Sequence, residues 1–495
     1  MKKITFLISV LLLEFNWGIA QEIKKTNPPE TKKQSLCSRN FEETYEKVSR
    51  NYAGWGEKTA STKDKKRLEN LTKETREKVS NVNEASECYF IITDWLSFFE
   101  DGHLFINIPN PYQRPEPEEE KAKRASQVPS MAYKSEEQFI NFLDKKKDLP
   151  EMVGIWETED KNYRLGITQT GSGAFSAFLL EKKDELWTAG KTKFTLKESF
   201  KDNYAADYLY YDFTSETKFA RRVKNYLVID DIYRMKKVYP EPTELVSNED
   251  ILSRLPDYRV EKIDDKTTLI KLPPFTMYEA ADYILDMVNK NRQLITMSEN
   301  LIVDMRNNPG GDENAFAALY PYIADGPIVR KGGMFRATEE NLVLLTHELE
   351  SIQSFPKYKR ILAPKLNEVI AKMRNNMGQD VQGPDKVFQY VKATKYPQKV
   401  AILVNENTAS TAESVTLEAK QSSKTIIMGT RTKGLADYIE VRDWGLPAFS
   451  WRLAMGMAKS SRDKELDNKG IKPDVKVPKK EVDWVSYAAE YLSKK

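Results

Sequence analysis

The second half of the chain alternates strand-like and helix-like segments, and this alternation most strongly constrains the fold. Short apolar runs rich in β-branched residues are each followed by a longer stretch with helical spacing. The predicted strands are 267–272, 300–305, 400–404 and 425–428, and the predicted helices are 278–295, 314–324, 339–376, 410–421 and 481–493. Such alternation is typical of a layered α/β core. We predict this core over 257–480, with a C-terminal helix at 481–495.

The first half has a different character. Residues 21–108 are predicted to form an N-terminal helical region that ends in the Asp-Gly-His segment at 101–103. Residues 109–147 are rich in proline and charge and predict a linker. Residues 148–242 carry aromatic and β-branched segments between polar turns, which predicts an inserted, barrel-like antiparallel β domain. No catalytic group of residues is visible in that domain, so a structural or substrate-positioning role is favoured over ligand binding.

Residues 1–20 have the pattern of a secretory signal peptide. Lys2 and Lys3 precede a short apolar run, and the segment ends in Gly18-Ile19-Ala20. We therefore expect cleavage after Ala20 and a secreted or periplasmic product. The alternative is a buried N-terminal strand or helix. No later stretch approaches 18 apolar residues, so no integral membrane segment is expected after removal of the signal.

Composition excludes several classes of function. The 495 residues include 77 Lys and Arg against 74 Asp and Glu, a net charge of +3, so no strong field favours a nucleic acid partner. With only two Cys and two His, zinc fingers and iron–sulfur clusters are excluded. We expect neither a metal site nor a cofactor. The oligomeric state is left open.

The two cysteines, Cys37 and Cys88, lie 51 positions apart in the predicted helical region. In an oxidising compartment a disulfide between them is the favoured interpretation. Closing a loop of that length would stabilise the fold by about 4 kcal/mol. The alternative is a pair of buried free thiols.

Three segments carry candidate chemistry, and each also has an ordinary structural interpretation. Residues 301–311, LIVDMRNNPGG, run from a strand into a glycine turn that leaves backbone N–H groups open. Ser410 opens a predicted helix, either as an N-cap or as a nucleophile assisted by the helix N-terminus. His103 follows a glycine turn, either as a buried hydrogen-bonded side chain or as a base with a suitable intrinsic pKa. His347 lies on a charged helical stretch and is interpreted as a solvated surface residue.

Together these segments resemble the core of the tail-specific and tricorn-type serine peptidases, a family that includes the carboxyl-terminal processing peptidases. The resemblance covers roughly 85–108 and 260–480. The matching motifs, in chain order, are D-G-H at 101–103, L-I-V-D-M-R-N-N-P-G-G at 301–311, N-T-A-S-T-A-E at 407–413, I-I-M-G-T-R-T-K-G at 426–434 and G-I-K-P-D at 470–474. The resemblance implies a crotonase/ClpP-like layered peptidase core.

The family uses two catalytic styles. Carboxyl-terminal processing members use a Ser–Lys dyad, and Leu435 stands where their lysine is expected; Lys433 lies two residues earlier. Tricorn-like members use an early histidine with a late acid, and this chain keeps His103. The late-acid position is Asp467, where such members often carry glutamate. Glu465 is an alternative third partner.

The resemblance implies a serine peptidase that cleaves peptide bonds by acyl transfer, with peptides or unfolded proteins as substrates. Ser410 would attack the carbonyl, and His103 would act as general base. Asp467 or Glu465 would orient the imidazole. Backbone N–H groups of Gly310 or Gly311 and of Thr411 would stabilise the oxyanion. Asp304 and Arg306 are expected to hold the turn.

A binding protein on the same core is the rival hypothesis. The interphotoreceptor retinoid-binding proteins carry apolar ligands on this fold, so the fold alone does not decide between binding and catalysis. In that case the aromatic β region would be the ligand pocket. An extracellular scaffold with a decayed active site is a third hypothesis, and Asp467 in place of glutamate favours it.

Overall fold

The computed structural model describes residues 34–109, 111–114, 116–158, 161–200, 202–229, 233–241, 258–277, 279–354, 356–388, 395–462, 465–478, 481 and 483–494. The predicted signal peptide at 1–20 lies outside the described residues. Within them, no helix is both long enough and apolar enough to cross a membrane.

A group of N-terminal helices packs against a five-stranded sheet. The helices are Leu36–Asn51, Trp55–Lys58, Thr62–Val79 and Ala85–Leu96, followed by the 3₁₀ turn Ser97–Phe99. The hydroxyls of Ser35 and Ser61 accept backbone N–H bonds at two of the helix starts, the usual role of serine at that position. The predicted disulfide between Cys37 and Cys88 is present and joins the first and last of these helices.

The five-stranded sheet has the spatial order β1 (Phe105–Asn107), β20 (Arg452–Ser460), β14 (Gly333–Arg336) and β15 (Asp380–Gln382), with β19 (Tyr438–Gly445) also paired to β20. Phe41 and Trp95 from the helices share one core with Leu453 and Met455 from β20. Strand β1 begins two residues after His103, so this core fixes the histidine segment to the sheet.

Residues between 154 and 239 form a closed antiparallel barrel of eight strands. The strands are β2 (Gly154–Thr158), β3 (Arg164–Gly171), β4 (Ala174–Leu179), β5 (Thr192–Phe200), β6 (Asn203–Leu209), β7 (Ser215–Val223), β8 (Tyr226–Ile229) and β9 (Tyr233–Tyr239). Trp156, Phe178 and Phe194 are fully buried in its core. Two helices, Glu118–Gln127 and Glu136–Asp144, precede the barrel within the segment predicted as a linker.

A six-stranded sheet forms the centre of the C-terminal half. Its order is β10 (Arg259–Lys262), β11 (Thr267–Lys271), β12 (Asn300–Asp304), β17 (Lys399–Val404), β18 (Thr425–Gly429) and β21 (Val475–Lys476). Only the β10–β11 pairing is antiparallel among these described strands. A separate two-stranded ribbon pairs β13 (Ile328–Arg330) with β16 (Lys386–Phe388).

Helices cover both faces of the six-stranded sheet, because alternate residues of a strand point to opposite sides. Leu301 and Val303 pack into the larger core on one face, while Ile302 packs against the C-terminal helix on the other. The helices of this half are Ala280–Lys290, Arg292–Met297, Tyr320–Ile323, Glu339–Ser351, Pro356–Asn375, Thr411–Ala419 and Trp484–Lys494, with 3₁₀ turns at Ala317–Leu319 and Ile352–Ser354.

The fold is thus a mixed one of helices and sheets with an antiparallel barrel, as the sequence predicts at that level. Strands β12, β17 and β18 run parallel, so their carboxyl ends meet at one edge of the sheet. This edge is where open α/β sheets usually bind ligands.

Candidate active site

Ser410 lies at the sharp turn between β17 and the helix Thr411–Ala419. Its backbone adopts φ 55° and ψ −124°, a conformation that costs a residue with a Cβ about 1–3 kcal/mol. Non-glycine residues are held in such conformations only when their surroundings fix them, and these positions are concentrated at functional sites. The turn places the half-buried serine at the N-terminus of the helix, where the helix dipole favours negative charge.

Hydrogen bonds between two loops hold this turn. The hydroxyl of Thr408 donates to the main-chain oxygen of Met305 at 3.0 Å, and the Ala409 N–H donates to the Asn308 carbonyl at 3.0 Å. Asn307 and Asn405 exchange side-chain and main-chain bonds across the same gap. The loops that follow β12 and β17 therefore form one unit.

The glycine turn packs directly against Ser410. A Cβ atom on Gly310 would lie 2.7 Å from the Thr411 nitrogen, so only glycine fits there. The Gly310 N–H already donates to the Asn308 side chain at 3.0 Å. In the part of the chain that the structure describes, the N–H groups of Gly311 and Thr411 donate no hydrogen bond, which leaves them open to a ligand oxygen.

A cavity of about 330 Å³ opens beside Gly311. Its lining includes Phe275, Met277, Ala280 and Asn314. Gly311 thus belongs both to the turn next to Ser410 and to the wall of a space large enough for a peptide side chain.

Glu413 connects the serine turn to the loop after β18. One oxygen of this fully buried carboxyl group accepts the Ser410 N–H at 3.0 Å and the Leu435 N–H at 2.8 Å. The other accepts the Thr432 hydroxyl at 2.5 Å and the Gly434 N–H at 2.8 Å. A carboxylate with this many donors is a strong anchor, so the backbones on both sides of Glu413 are fixed relative to each other.

The loop after β18 also contacts the segment that contains His103. A Cβ on Gly102 would lie 2.5 Å from a terminal carbon of Leu435, so the two segments are in close contact. The Asn468 amide donates to the Glu100 carbonyl at 2.6 Å from the opposite side. The early Asp-Gly-His turn is thereby held between two late loops of the chain.

His103 is anchored at its main chain and at one ring nitrogen. Its N–H donates to a carboxyl oxygen of Asp101 at 2.8 Å, and its Nδ1 lies 2.8 Å from the main-chain oxygen of Tyr438. A carbonyl oxygen only accepts, so Nδ1 carries the proton and Nε2 of the neutral ring is left as an acceptor. Burial lowers the pKa of His103, while the Tyr438 carbonyl and the charge of Asp467 act in the opposite direction.

The two candidate acids lie in different environments. One carboxyl oxygen of Asp467 accepts the Asp437 N–H at 2.9 Å, and the other is buried without a hydrogen-bond partner among the described residues. Burial raises the pKa of Asp467 to about 6, and the charge of His103 opposes that rise. Glu465 is exposed, and its ion pair with Lys469 lowers its pKa. The structure therefore brings Asp467, and not Glu465, into the electrostatic surroundings of His103.

The other residues singled out in the sequence are Asp304, Arg306, Lys433 and His347. Arg306 donates to both carboxyl oxygens of Asp304, at 2.9 and 2.7 Å, beside the glycine turn. Lys433 is exposed, although its charge contributes to lowering the pKa of His103. His347 lies on the helix Glu339–Ser351, away from these loops, and its main-chain oxygen accepts the Ser351 hydroxyl.

Sequence reasoning missed three groups at this site. Glu413 stands three residues after Ser410, the Ser-x-x-Glu spacing of a capping box, and this spacing was a usable signal. Asn308, in the Asn-Asn-Pro-Gly-Gly turn, holds the Gly310 N–H. The Tyr438 carbonyl that fixes the His103 ring had no sequence signal, because any residue supplies a main-chain oxygen.

The amino-acid sequence of this region is similar to a known family. Residues 266–477 match the sequence model of peptidase family S41. The matched segment contains the serine turn, and the match supports a serine-type peptidase. No curated protein matches the sequence.

Solved structures resemble the chain at the level of fold. Mature CPAF complexed with lactacystin has 11% sequence identity, with 93% of this chain and 97% of that chain covered, at a TM-score of 0.50. The photosystem II D1 C-terminal processing protease has 12% identity, 90% and 93% coverage and a TM-score of 0.36. The tricorn protease has 12% identity, with 92% of this chain but only 36% of that chain covered, and a TM-score of 0.41.

Proposed function

We propose that this chain is an exported serine peptidase in which Ser410 is the nucleophile and His103 is the general base. The observation that carries the proposal is the continuous path between them. The Ser410 N–H and the Leu435 N–H both donate hydrogen bonds to one carboxyl oxygen of Glu413. The side chain of Leu435 in turn contacts the turn at Gly102. The path joins a strained serine at a helix N-terminus to a histidine some three hundred residues earlier in the chain.

In the proposed reaction, the Ser410 hydroxyl attacks a peptide carbonyl while Nε2 of His103 takes its proton. The imidazolium then gives that proton to the leaving amine, and water hydrolyses the acyl-enzyme by the same route. The Tyr438 carbonyl favours the required tautomer, because it accepts from Nδ1. The lowered pKa of the buried His103 keeps the ring neutral, and hence able to accept a proton, near pH 7.

The oxyanion of the tetrahedral intermediate would be stabilised by the N–H groups of Gly311 and Thr411. Both belong to the turn around Ser410, and neither is engaged by another described group. Gly310 is the weaker candidate, since its N–H already donates to Asn308. A single hydrogen-bond donor of this kind stabilises the transition state by about 3 kcal/mol.

Asp467 is proposed as the acid that stabilises the imidazolium. Its charge favours the protonated ring, and its unpartnered oxygen is free to respond to that charge. The effect of the acid on the His103 ring would be electrostatic, because Nδ1 is already hydrogen-bonded to the Tyr438 carbonyl. Glu465 is the less suitable acid, because it is exposed and paired with Lys469.

A Ser–His mechanism is favoured over a Ser–Lys dyad by the loop after β18. The position expected to hold a catalytic lysine is Leu435, whose side chain contacts Gly102. Lys433 is exposed, and its main-chain N–H donates to the Thr408 carbonyl. An apolar side chain at 435 cannot supply a base.

The substrates would be peptides or unfolded proteins, as the family implies, with one side chain in the cavity beside Gly311. The layered core is proposed to be of the crotonase/ClpP type. Export is proposed from the signal pattern at 1–20 and is supported by the disulfide between Cys37 and Cys88, since disulfides persist mainly in oxidising compartments. Mass spectrometry of the exported chain tests this directly, because cleavage after Ala20 gives a product that begins at Gln21.

Labelling with a fluorophosphonate probe, combined with cleavage of a mixed peptide library, tests the catalytic proposal. Wild-type protein should be labelled at Ser410 and should cleave peptides, whereas Ser410→Ala and His103→Ala should do neither and remain folded by circular dichroism. Lys433→Ala serves as the control and should retain activity. An unlabelled wild-type chain that cleaves no peptide would favour the binding alternative. Against that alternative, the interior of the barrel is filled by its own aromatic side chains.

A further inference from the structure

One buried asparagine, Asn308, makes hydrogen bonds to three backbone segments that meet beside Ser410. It lies in the loop after β12, two residues before Gly310, and is only 2% exposed. The three segments are the glycine turn at 310–311, the serine turn at 408–411, and residues 273–277, which we call the wall segment because Phe275, Thr276 and Met277 line the cavity beside Gly311. A polar side chain is buried at such a position only when its hydrogen bonds are satisfied.

The side chain of Asn308 joins the glycine turn to the wall segment. Its Oδ1 accepts the Gly310 N–H at 3.0 Å and the Phe275 N–H at 3.3 Å, and its Nδ2 donates to the Pro273 carbonyl at 2.8 Å. The two N–H groups can only donate and the carbonyl can only accept, so the pattern requires an acceptor and a donor on one short side chain. An amide supplies both, whereas an ionised carboxylate supplies acceptors alone.

The main chain of Asn308 reaches the serine turn. Its carbonyl accepts the N–H of Ala409, the residue directly before Ser410, at 3.0 Å, and its own N–H donates to the Met305 carbonyl at 3.2 Å. The residue whose side chain holds the glycine turn therefore holds the serine turn with its backbone.

Gly311 has little room to move between these segments. A Cβ on Gly311 would lie 2.2 Å from the carbonyl carbon of Phe275, and the Asp312 N–H donates to the Phe275 oxygen at 2.9 Å. On the other side, the Thr411 hydroxyl donates to the Gly311 carbonyl at 2.8 Å. The position of the Gly311 N–H thus depends on where the wall segment lies relative to the serine turn.

We propose that Asn308 is a positioning residue for the oxyanion site: it ties the wall segment to the two turns, so that the Gly311 N–H stays directed at the oxygen of the tetrahedral intermediate. This deepens the proposed function and rests on it. Asn308 is buried and would not touch substrate. Donors of this kind act only when they are preorganised, and a displacement of about 1 Å costs on the order of 100-fold in rate.

The first variant is Asn308→Ala, which removes the three side-chain hydrogen bonds and keeps those of the main chain. For a cleaved peptide we expect kcat to fall by about 100-fold, whereas KM should change by less than about threefold, because the oxyanion forms only in the transition state. The rate at which a fluorophosphonate labels Ser410 should fall in parallel with kcat, since this reaction also develops negative charge on an oxygen beside the serine. A loss confined to KM would overturn the proposal.

The second variant, Asn308→Asp, has nearly the same shape and makes the effect depend on pH. A protonated carboxyl group at 308 can donate to the Pro273 carbonyl and accept the two N–H groups, as the amide does, whereas an ionised one faces the Pro273 oxygen without a proton to donate. The kcat of this variant, divided by the wild-type kcat at the same pH, should therefore rise roughly tenfold as the pH falls from 8 to 5. A ratio that is constant with pH would contradict the role of the Pro273 bond.

Asn40→Ala is the matched control for a purely structural role. Asn40 is fully buried, and its amide also both donates and accepts: Nδ2 donates to the Ala448 carbonyl at 3.1 Å, and Oδ1 accepts the Ala448 N–H at 2.7 Å. These bonds join the first helix to the connection between β19 and β20, not to the turns around Ser410. The variant should lower Tm, as Asn308→Ala does, and leave kcat and the labelling rate unchanged. An equal loss of kcat in both variants would mean that general loosening is the cause, and the proposal would fail.

Hydrogen–deuterium exchange followed by mass spectrometry separates this inference from the proposed function, because it needs no catalysis. In Asn308→Ala the amides of Phe275 and Gly310 lose their acceptor, so fragments that cover 272–277 and 305–312 should exchange faster than in wild type and in Asn40→Ala. Unchanged exchange in both fragments would show that Asn308 does not hold these segments. If the wild type neither cleaves peptides nor is labelled, the peptidase proposal fails, while the exchange still decides whether Asn308 holds the turn. Faster exchange with an unchanged kcat would contradict the link to catalysis.

Discussion

The Nδ1 atom of His103 lies 2.8 Å from the main-chain oxygen of Tyr438. Tyr438 is the first residue of β19, a strand of the sheet against which the N-terminal helices pack. A main-chain oxygen on a strand does not rotate, so the ring is oriented by the fold itself rather than by a mobile side chain. In the proposed mechanism the backbone would take over the orienting role that the acid usually has in a catalytic triad, and Asp467 would act only through its charge.

The first prediction concerns the pH dependence of activity. Burial lowers the pKa of His103, so the ring is neutral at pH 7, whereas burial raises the pKa of Asp467 to about 6. As the pH falls through about 6, Asp467 takes up a proton and its support of the imidazolium is lost. We expect kcat/KM to decrease by up to about tenfold per pH unit on this limb. Stopped assays with one cleaved peptide between pH 4.5 and 8.5 measure it.

Two isosteric variants assign this limb to one acid. In Asp467→Asn the limb near pH 6 should disappear and kcat/KM should be low at every pH. Glu465→Gln should behave like wild type, because Glu465 is exposed and pairs with Lys469. A limb that responds to Glu465→Gln and not to Asp467→Asn would reverse the assignment.

The second prediction is that Asp467→Asn stabilises the fold at neutral pH. The folded-state pKa of Asp467 is raised by burial to about 6, above the unfolded value of about 3.9. The contribution of such a carboxyl group to stability is fully present below pH 3.9 and is lost as the pH rises through 6. The variant should therefore melt at a higher Tm than wild type at pH 8 and at a similar Tm near pH 4. Equal melting temperatures at both pH values would mean that ionised Asp467 is not destabilising.

The third prediction tests the strain at Ser410. Glycine relieves the φ of 55°, whereas alanine keeps the Cβ and the strain. Both variants lose the nucleophile, so both should be inactive, but Ser410→Gly should be more stable than Ser410→Ala by about 1 kcal/mol. Urea unfolding of the two variants gives this difference. Alanine equal to or above glycine in stability would show that the turn is not strained.

The fourth prediction concerns Glu413, which receives donors from both loops. Glu413→Gln places an NH₂ group opposite backbone N–H donors, so at least one bond is lost in a fully buried site. We expect a loss of about 2 kcal/mol in the free energy of unfolding and roughly a 100-fold loss in kcat/KM, since Ser410 and the histidine segment lose their common anchor.

Glu406→Gln is the matched control for this prediction. Glu406 lies in the loop just before the helix that carries Glu413, but it is exposed, and among the described residues it accepts the Thr430 hydroxyl at 2.7 Å. It should change stability and kcat/KM little. If the Glu413 variant lowers stability without reducing kcat/KM, its role is confined to folding.

The fold could be predicted from the sequence wherever burial produces a regular pattern of apolar residues along the chain. The parallel strands are buried on both faces, and their unbroken apolar runs, such as 400–404, stood out for that reason. The barrel strands were suggested by aromatic residues between polar turns. Segment 314–324 was predicted as one helix, yet it forms a 3₁₀ turn and the one-turn helix Tyr320–Ile323. Pro321 has no N–H to donate and is tolerated only in the first turn of a helix, so one helix cannot run through it.

The site was predictable only in part, and the reason is distance along the chain. Ser410, His103 and Asp467 carry side chains with chemistry and could be proposed one by one. Their positions relative to one another depend on contacts across more than 300 residues, such as Gly102 with Leu435 and Asn468 with Glu100. Main-chain groups, such as the Tyr438 carbonyl, leave no trace in the sequence at all. Asp467 and Glu465 were equal candidates in sequence because their burial was unknown.

The last prediction links the disulfide to catalysis. The bond between Cys37 and Cys88 closes a loop over 51 residues, so its loss should lower the free energy of unfolding by about 4 kcal/mol. The helix that carries Cys88, Ala85–Leu96, continues through Ser97–Phe99 to Asp101, so loosening it should also disturb His103 and reduce kcat. Because the chain has no other cysteine, dithiothreitol acts on this bond alone. Urea unfolding and peptide cleavage with and without the reductant measure both effects, and reoxidised protein, in which both should return, is the control. Unchanged cleavage by the reduced, folded protein would show that the histidine segment is held by the sheet core alone.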